Sequence, residues 1–154
     1  MIIWIDADAC PAPVRDIVLR ASHRLKVQTI FVANKPLYLP DSSILSAVQV
    51  AQGPDVVDGY IVEHASPGDL VVTQDIPLAA LLVPREISVL SPRGDLFTPE
   101  NMAENLSRRN LMNDLRDQGE ITGGPRPFDE KVKRQFANCF DAELQRLLRK
   151  SSRS

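Results

Sequence analysis

Cysteine and histidine are nearly absent from this chain. Cys10 and Cys139 are far apart, and only His23 and His64 carry imidazoles. That excludes a disulfide framework and leaves no zinc-ligand spacing. Both histidines fall among apolar neighbours at helical spacing, as surface or core residues do. Glycine is sparse at seven residues, and no glycine-rich nucleotide loop occurs: Gly123-Gly124 lacks the following Lys-Ser/Thr of a phosphate loop. No apolar run is long enough to span a bilayer, and the N-terminus lacks the basic flank and apolar length of a signal peptide. A cytoplasmic protein without a membrane partner is the expectation. Basic excess is missing too. The net charge of −2 and the pI of about 5.7 argue against strong nonspecific duplex binding, which needs many phosphate contacts.

What the chain does have is ordinary globular composition, with 44% hydrophobic and 25% charged residues in 154. One domain over 1–154 is expected, long enough to bury a real core, with order lost only over Ser151-Ser152-Arg153-Ser154. Charge is unevenly spread. Residues 1–84 hold five basic and nine acidic side chains, and residues 85–154 hold thirteen and eleven. An acidic pocket beside a more basic second part suits a metal site next to a polyanion track, although helical surfaces alternate in charge anyway.

Strand and helix signals alternate through residue 97. Ile2-Ile3-Trp4-Ile5, Lys26 to Val32, Val48-Gln49-Val50, Leu70 to Thr73 and Ile87 to Leu90 read as strands, the last of these closing the series. Helices are expected over Val14 to Leu25, after Asp55 as N-cap, and over Leu78 to Leu82 behind Pro77. Such alternation predicts right-handed βαβ units, a mostly parallel sheet and a three-layer α/β/α fold. From residue 98 to 150 the pattern becomes helical. Thr98-Pro99 is a helix start leading to Met102, Leu106, Leu111, Met112 and Leu115. Gly123-Gly124-Pro125-Arg126-Pro127 connects to a closing helix marked by Phe136, Phe140, Leu144, Leu147 and Leu148.

The chemistry lies in aspartates at strand ends. Asp6-Ala7-Asp8 follows the first strand, Asp75 follows the strand at Leu70, and Asp55 and Asp58 sit one helical turn apart between them. Each alone reads equally as a turn former or helix cap. Together they fall where one parallel sheet gathers them, since ligand sites in open α/β sheets lie outside the carboxyl ends of the strands. Carboxylates that crowd repel one another and raise each other's pKa, and a cation resolves the conflict. All-oxygen ligation favours Mg²⁺ or Mn²⁺. The expected metal ligands are therefore Asp6, Asp55, Asp58 and Asp75, and the expected catalytic acids Asp6, Asp8, Asp58 and Asp75.

Cys10-Pro11-Ala12-Pro13-Val14-Arg15 is not a phosphatase loop. It has four residues, not five, between thiol and arginine, and two are prolines without N–H groups. Cys10 is expected to pack or to border the site. Arg93, after the last predicted strand, and Arg108-Arg109 on the following helix are candidates for binding a phosphate backbone. Arg116, Arg126, Lys131, Lys133 and Arg134 add to the same basic character.

The segments Ile5-Asp6-Ala7-Asp8-Ala9-Cys10-Pro11, Gly68-Asp69-Leu70-Val71-Val72-Thr73-Gln74-Asp75-Ile76-Pro77-Leu78-Ala79, Arg93-Gly94 and Gly123-Gly124-Pro125 resemble the YaiI/YqxD family of uncharacterised bacterial proteins. That resemblance spans nearly the whole chain and implies no established activity. More distantly the arrangement is similar to PIN-like nuclease domains. On that likeness Asp6 matches the first-strand acid, Asp58 with Asp55 the helical acid, and Asp75 the later strand-end acid. It implies a PIN-like fold with a helical C-terminal extension and metal-dependent hydrolysis of phosphodiesters, RNA above all. Two rivals stand beside this. Asp6-x-Asp8 also resembles haloacid dehalogenase phosphatases, although Cys10 replaces the usual threonine or valine and no lysine lies between Asp58 and Asp75. The other rival is a non-catalytic module that binds RNA or protein.

Overall fold

Ile3 and Ile5 point to one side of strand β1 (Ile2–Asp6) and Trp4 to the other, all three buried. That period-2 burial on both faces is what a central parallel strand requires. The computed structural model describes residues 1–119 and 127–152. Around β1 it builds a six-stranded sheet from β2 (Gln28–Ala33), β3 (Leu45–Gln49), β4 (Leu70–Val72), β5 (Ser88–Leu90) and β6 (Leu96–Phe97), in the order β3-β2-β1-β4-β5-β6. All neighbours are parallel except β5 and β6. The chain winds outward from β1 to β2 and β3, then returns to place β4 on the other side of β1, opposite Ile3, Trp4 and Ile5. The gap between the carboxyl ends of β1 and β4 is therefore a topological switch point.

Helices cover both faces. Helix α1 (Ala12–Leu25) supplies Val14 and Val18 and helix α5 (Glu130–Ser152) supplies Phe136, Phe140 and Leu144 to a core against Ile3, Ile5, Phe31 and Val72. On the opposite face, α2 (Val56–His64), α3 (Ile76–Leu82) and α4 (Met102–Asp117) bury Ile61, Leu78, Leu82 and Met102 against Trp4, Val71 and Val89. The C-terminal extension is thus divided, with α4 in one helical layer and α5 in the other. The result is the expected three-layer α/β/α fold with a mostly parallel sheet.

Asp69 locks the amino-terminal end of β1 to the turn before β4. Its buried carboxylate accepts from Ile2 N at 3.0 Å, Trp4 Nε1 at 3.0 Å and Ser66 N at 2.9 Å. Gly94 matters for a different reason. It has φ +88°, and a Cβ built there would stand 2.8 Å from the backbone of Gln135 and Phe136. Only glycine lets the β5–β6 turn lie against α5.

Several local expectations need correction. The third strand starts at Leu45, not Val48, and ends at Gln49. The sheet has a further strand, β6, because a hydrogen-bonded turn over Ser91–Asp95 reverses the chain and lets Leu96 pair with Leu90. Regular helix α4 starts at Met102 rather than Pro99, behind a turn over Pro99–Asn101. Thr98 N donates to Asn101 Oδ1 at 2.9 Å and Asn101 N to Thr98 Oγ1 at 3.2 Å, a reciprocal capping-box exchange, and Thr98 O accepts from Met102 N at 3.1 Å, so Thr98 caps the helix entrance as expected. Asp55 occupies the N-cap position of α2 but makes no side-chain cap bond. Helix α5 continues into Ser151 and Ser152, where loss of order was expected. Residues 123–126 of the expected connector, Arg126 included, and residues 153–154 lie outside the described residues.

Candidate metal centre and arginine cleft

Asp6 is the last residue of β1, and Thr73 directly follows β4, so parallel register brings them together at the switch point. Thr73 Oγ1 donates to Asp6 Oδ2 at 2.9 Å, and Asp75 N donates to the same hydroxyl at 3.1 Å. Asp75 in turn caps α3, its Oδ1 accepting from Leu78 N at 2.9 Å. Capping and site placement are thus one arrangement: the α3 N-terminus fixes one carboxylate oxygen.

Asp55 and Asp58 approach from α2. Asp55 adopts the left-handed conformation, φ 64°, which aspartate tolerates better than most residues. Asp58 follows in the first helical turn. One carboxylate oxygen from each of Asp55, Asp58 and Asp75 lies within 4.8 Å of the others. Asp55 is exposed and the other two are half-buried. Burial pushes the Asp58 carboxyl up to about 7, helped by its hydrogen bond to Asp75 and by the charges of Asp75, Asp6 and Asp55. Asp6 is also raised, first by burial and further by Asp8 and Asp75, while the Thr73 hydroxyl works in the opposite direction. The donor set is all oxygen, anionic and mutually repelling, so it fits a hard divalent cation.

Of the expected ligands, Asp55, Asp58 and Asp75 form the close group, and Asp6 stands beside it on Thr73. Asp8 sits in a 3-10 turn over Ala7–Ala9, where its Oδ2 accepts from Asn34 N at 2.9 Å and ties the end of β1 to the end of β2. Its Oδ1 is buried with no hydrogen-bond partner. Cys10 packs against the core, and burial pushes its thiol up to about 12, so it is no ready nucleophile. His64 stacks on Tyr60 with ring centroids 4.0 Å apart, and its Nδ1 lies 2.8 Å from Tyr60 O. Sequence reasoning missed Thr73 as the link between the acids. The available signal was a hydroxyl two residues before Asp75, on a strand expected to lie beside Asp6.

The expected phosphate binders also converge. A cleft of about 650 Å³ between α4 and the β5–β6 turn is lined by Arg93, Arg108, Arg109 and Arg116, with Gln74 and Ile76 at its edge. Gln74 and Ile76 flank Asp75, so the cleft adjoins the acids along the chain. Lys133 and Arg134 lie elsewhere. They line a second groove of about 510 Å³ between α1 and α5, with Arg20 and Arg24, where Arg24 pairs with Asp141 at 3.3 Å. The basic residues of the second part therefore divide between opposite faces of the sheet.

Comparison with known proteins agrees with this chain-wide pattern. The family described as "Uncharacterized BCR, YaiI/YqxD family" matches residues 4–146. A UPF0178 protein of Myxococcus xanthus (strain DK1622) is 58% identical over 149 residues, covering 97% of each chain. A UPF0178 protein of Syntrophobacter fumaroxidans (strain DSM 10017 / MPOB) is 52% identical over 144 residues, 94% of each. One from Psychromonas ingrahamii (strain DSM 17664 / CCUG 51855 / 37) is 53% identical over 146 residues, 95% of this chain and 97% of that one. No solved structure matches. Among the described residues, no helix is long and apolar enough to cross a membrane.

Proposed function

The chain belongs to the YaiI/YqxD (UPF0178) family of uncharacterised bacterial proteins, and from that premise we propose that it is a divalent-metal-dependent phosphodiesterase acting on RNA. One observation carries this reading: the carboxylates of Asp55, Asp58 and Asp75 converge at the switch point of a parallel sheet, with Asp6 beside them. Asp55, Asp58 and Asp75 would hold Mg²⁺ or Mn²⁺. Such an ion, when bound, lowers the pKa of a coordinated water and offsets charge on a phosphate oxygen.

The remaining roles fall to the chain's own residues. The Leu78 amide holds one Asp75 oxygen and leaves the other for the cation. Thr73 spaces Asp6 from Asp75 and favours the ionised form of Asp6. Asp58, its carboxyl raised to about 7, would give up its proton on holding a cation. Asp8 adds negative charge beside Asp6 and steadies the strand ends. Arg93, Arg108 and Arg109 would bind the phosphate backbone from the adjoining cleft.

Thermal unfolding with and without Mn²⁺, run beside a screen for Mn²⁺-dependent cutting of labelled RNA, tests the reading. Wild type should gain melting temperature, because a ligand that binds only the native state stabilises it. Asp75→Asn should lose that gain yet stay folded, since asparagine caps helices as well as aspartate does. A full shift in the variant would place the site elsewhere. A wild type that neither gains stability nor cuts would mark the acids as structural.

A further inference from the structure

Strand β3 ends the sheet on one side, and its edge lacks the features that keep such edges apart. From Ser42 to Pro54 the chain has no charged residue, and no proline stands within Leu45–Gln49. Its pairing with β2 is regular throughout, without a bulge. The opposite edge differs. Strand β6 is only Leu96–Phe97, with Asp95 before it and Pro99 soon after.

The backbone fixes which groups face outward. Val50 N donates to Ala33 O at 2.9 Å, and Ile44 O accepts from Thr29 N at 2.8 Å. Residues that bond to one neighbour alternate along a parallel ladder, so Ile44, Ser46, Val48 and Val50 turn their peptide groups to β2. Leu45, Ala47 and Gln49 therefore aim theirs away from the sheet. Among the described residues, Ala47 and Gln49 meet no partner there, and Leu45 N alone is used, reaching Ser42 O at 3.4 Å. A second β3 matches these groups about a twofold axis at Ala47. Antiparallel pairing then makes Ala47 and Ala47 of the second copy a hydrogen-bonded pair, with Leu45 opposite Gln49.

Side chains agree with that register. None of the residues that face each other is charged, so the twofold brings no like charges together. Ser46, Ala47 and Gln49 are exposed and leave room for a neighbour. Lys35, Pro36 and Leu37 share a groove of about 190 Å³ with Ala47, Val48 and Gln49. The same loop carries Tyr38, at 91% the most exposed large apolar side chain among the described residues. A second copy at β3 brings its own loop alongside, so contact extends beyond the ladder.

We infer that β3 is a self-association edge, where two copies of this chain pair antiparallel about Ala47 and join their sheets into one. Strand direction reverses across the axis, so the two acidic crevices open at opposite ends of the joined sheet and stay free. The inference is independent of what those acids do.

Sedimentation equilibrium of the full chain over a concentration series tests this. Wild type should reach twice the chain mass of 17.1 kDa. Ala47→Lys sets two ammonium groups against each other across the axis and should weaken the dimer roughly tenfold or more. Ala47→Val, neutral and suited to strands, should keep it. Leu111→Lys, at an exposed leucine of α4, should keep it too. Register is read from Ala47→Cys treated with a short bis-maleimide. That variant should cross-link to a covalent dimer, and wild type, with Cys10 and Cys139 alone, should not. A wild type that stays monomeric at every concentration would overturn the inference. So would a dimer that survives Ala47→Lys or is lost in Leu111→Lys. If Ala47→Lys does not fold, a missing cross-link in Ala47→Cys overturns it instead. Mass reads the edge and Mn²⁺ stabilisation reads the acids, so either proposal can fail alone.

Discussion

The Thr73 hydroxyl lies 2.9 Å from Asp6 Oδ2 and joins the carboxyl ends of β1 and β4 across the switch point. The same oxygen accepts the Asp75 amide at 3.1 Å. One side chain therefore sets the spacing of two acids that arrive on different strands. It also supplies the main influence holding the Asp6 carboxyl down against burial.

Thr73→Val keeps the shape and removes that hydroxyl. Asp6 Oδ2 and the Asp75 N–H then lose a partner in a half-buried place, which costs about 1–3 kcal/mol in urea unfolding. Asp6 should also protonate more readily, so Mn²⁺ titration of the variant should need higher pH to reach the same occupancy. Thr73→Ser should restore both properties. A valine variant with wild-type Mn²⁺ binding at every pH would show that the hydroxyl does not tune the acids.

Asp58 predicts a pH dependence with a definite sign. Its carboxyl is raised from 3.8 to about 7, chiefly by burial and by Asp75. Between those values the folded apo protein binds more protons than the unfolded chain, so stability falls as pH rises through the window and levels off above about pH 7. Asp6 shifts in the same direction. Mn²⁺ needs the ionised acids, so its stabilising effect should grow over the range in which the apo protein weakens. Asp58→Asn should flatten much of the apo decline and remove the Mn²⁺ gain. Chemical denaturation across pH, with and without Mn²⁺, reads both. An unchanged slope in the variant would move the raised group away from Asp58.

Much of the architecture was legible because apolar runs announce buried parallel strands. Ile2 to Ile5 and Leu70 to Val72 have no polar interruption, and each is followed within a few residues by an aspartate. Strand-end acids in such a sheet converge whatever the details of the loops, and that is why Asp6 and Asp75 could be paired on paper. Asp55 was harder. Its backbone is left-handed, φ 64°, and nothing in its residue type distinguishes it from an ordinary cap. Thr98-Pro99 has the residues of a helix start, and Asn101 completes it by exchanging capping-box hydrogen bonds with Thr98, though regular helix begins only at Met102. No pattern in the sequence marks the role of Asp69, because its donors, Ile2, Trp4 and Ser66, are brought to it by tertiary structure. The arginines were visible as a set. Their division between two faces follows from α4 and α5 packing on opposite sides of the sheet, which charge counting does not reveal.

Gly94 allows the last prediction to separate fold from site. The turn that carries Arg93 touches α5 through this glycine, where φ is +88° and an added Cβ would sit 2.8 Å from the backbone of Gln135 and Phe136. Backbone cannot step aside as a flexible side chain does. Gly94→Ala should therefore cost about 2–4 kcal/mol, from the disfavoured dihedral and from displacement of the turn or the helix. Gly94→Asn isolates the two contributions, since asparagine tolerates positive φ but still carries the Cβ. Equal losses in the two variants would assign the effect to the close approach, and a much milder asparagine variant would assign it to the dihedral. The acids are held by β1, α2 and the cap of α3 rather than by this turn. Folded Gly94→Ala protein should therefore keep its Mn²⁺ stabilisation while binding RNA more weakly through the shifted Arg93. Wild-type stability in the alanine variant would mean that the turn does not lean on α5, and loss of the Mn²⁺ response would mean that turn and acids move as one.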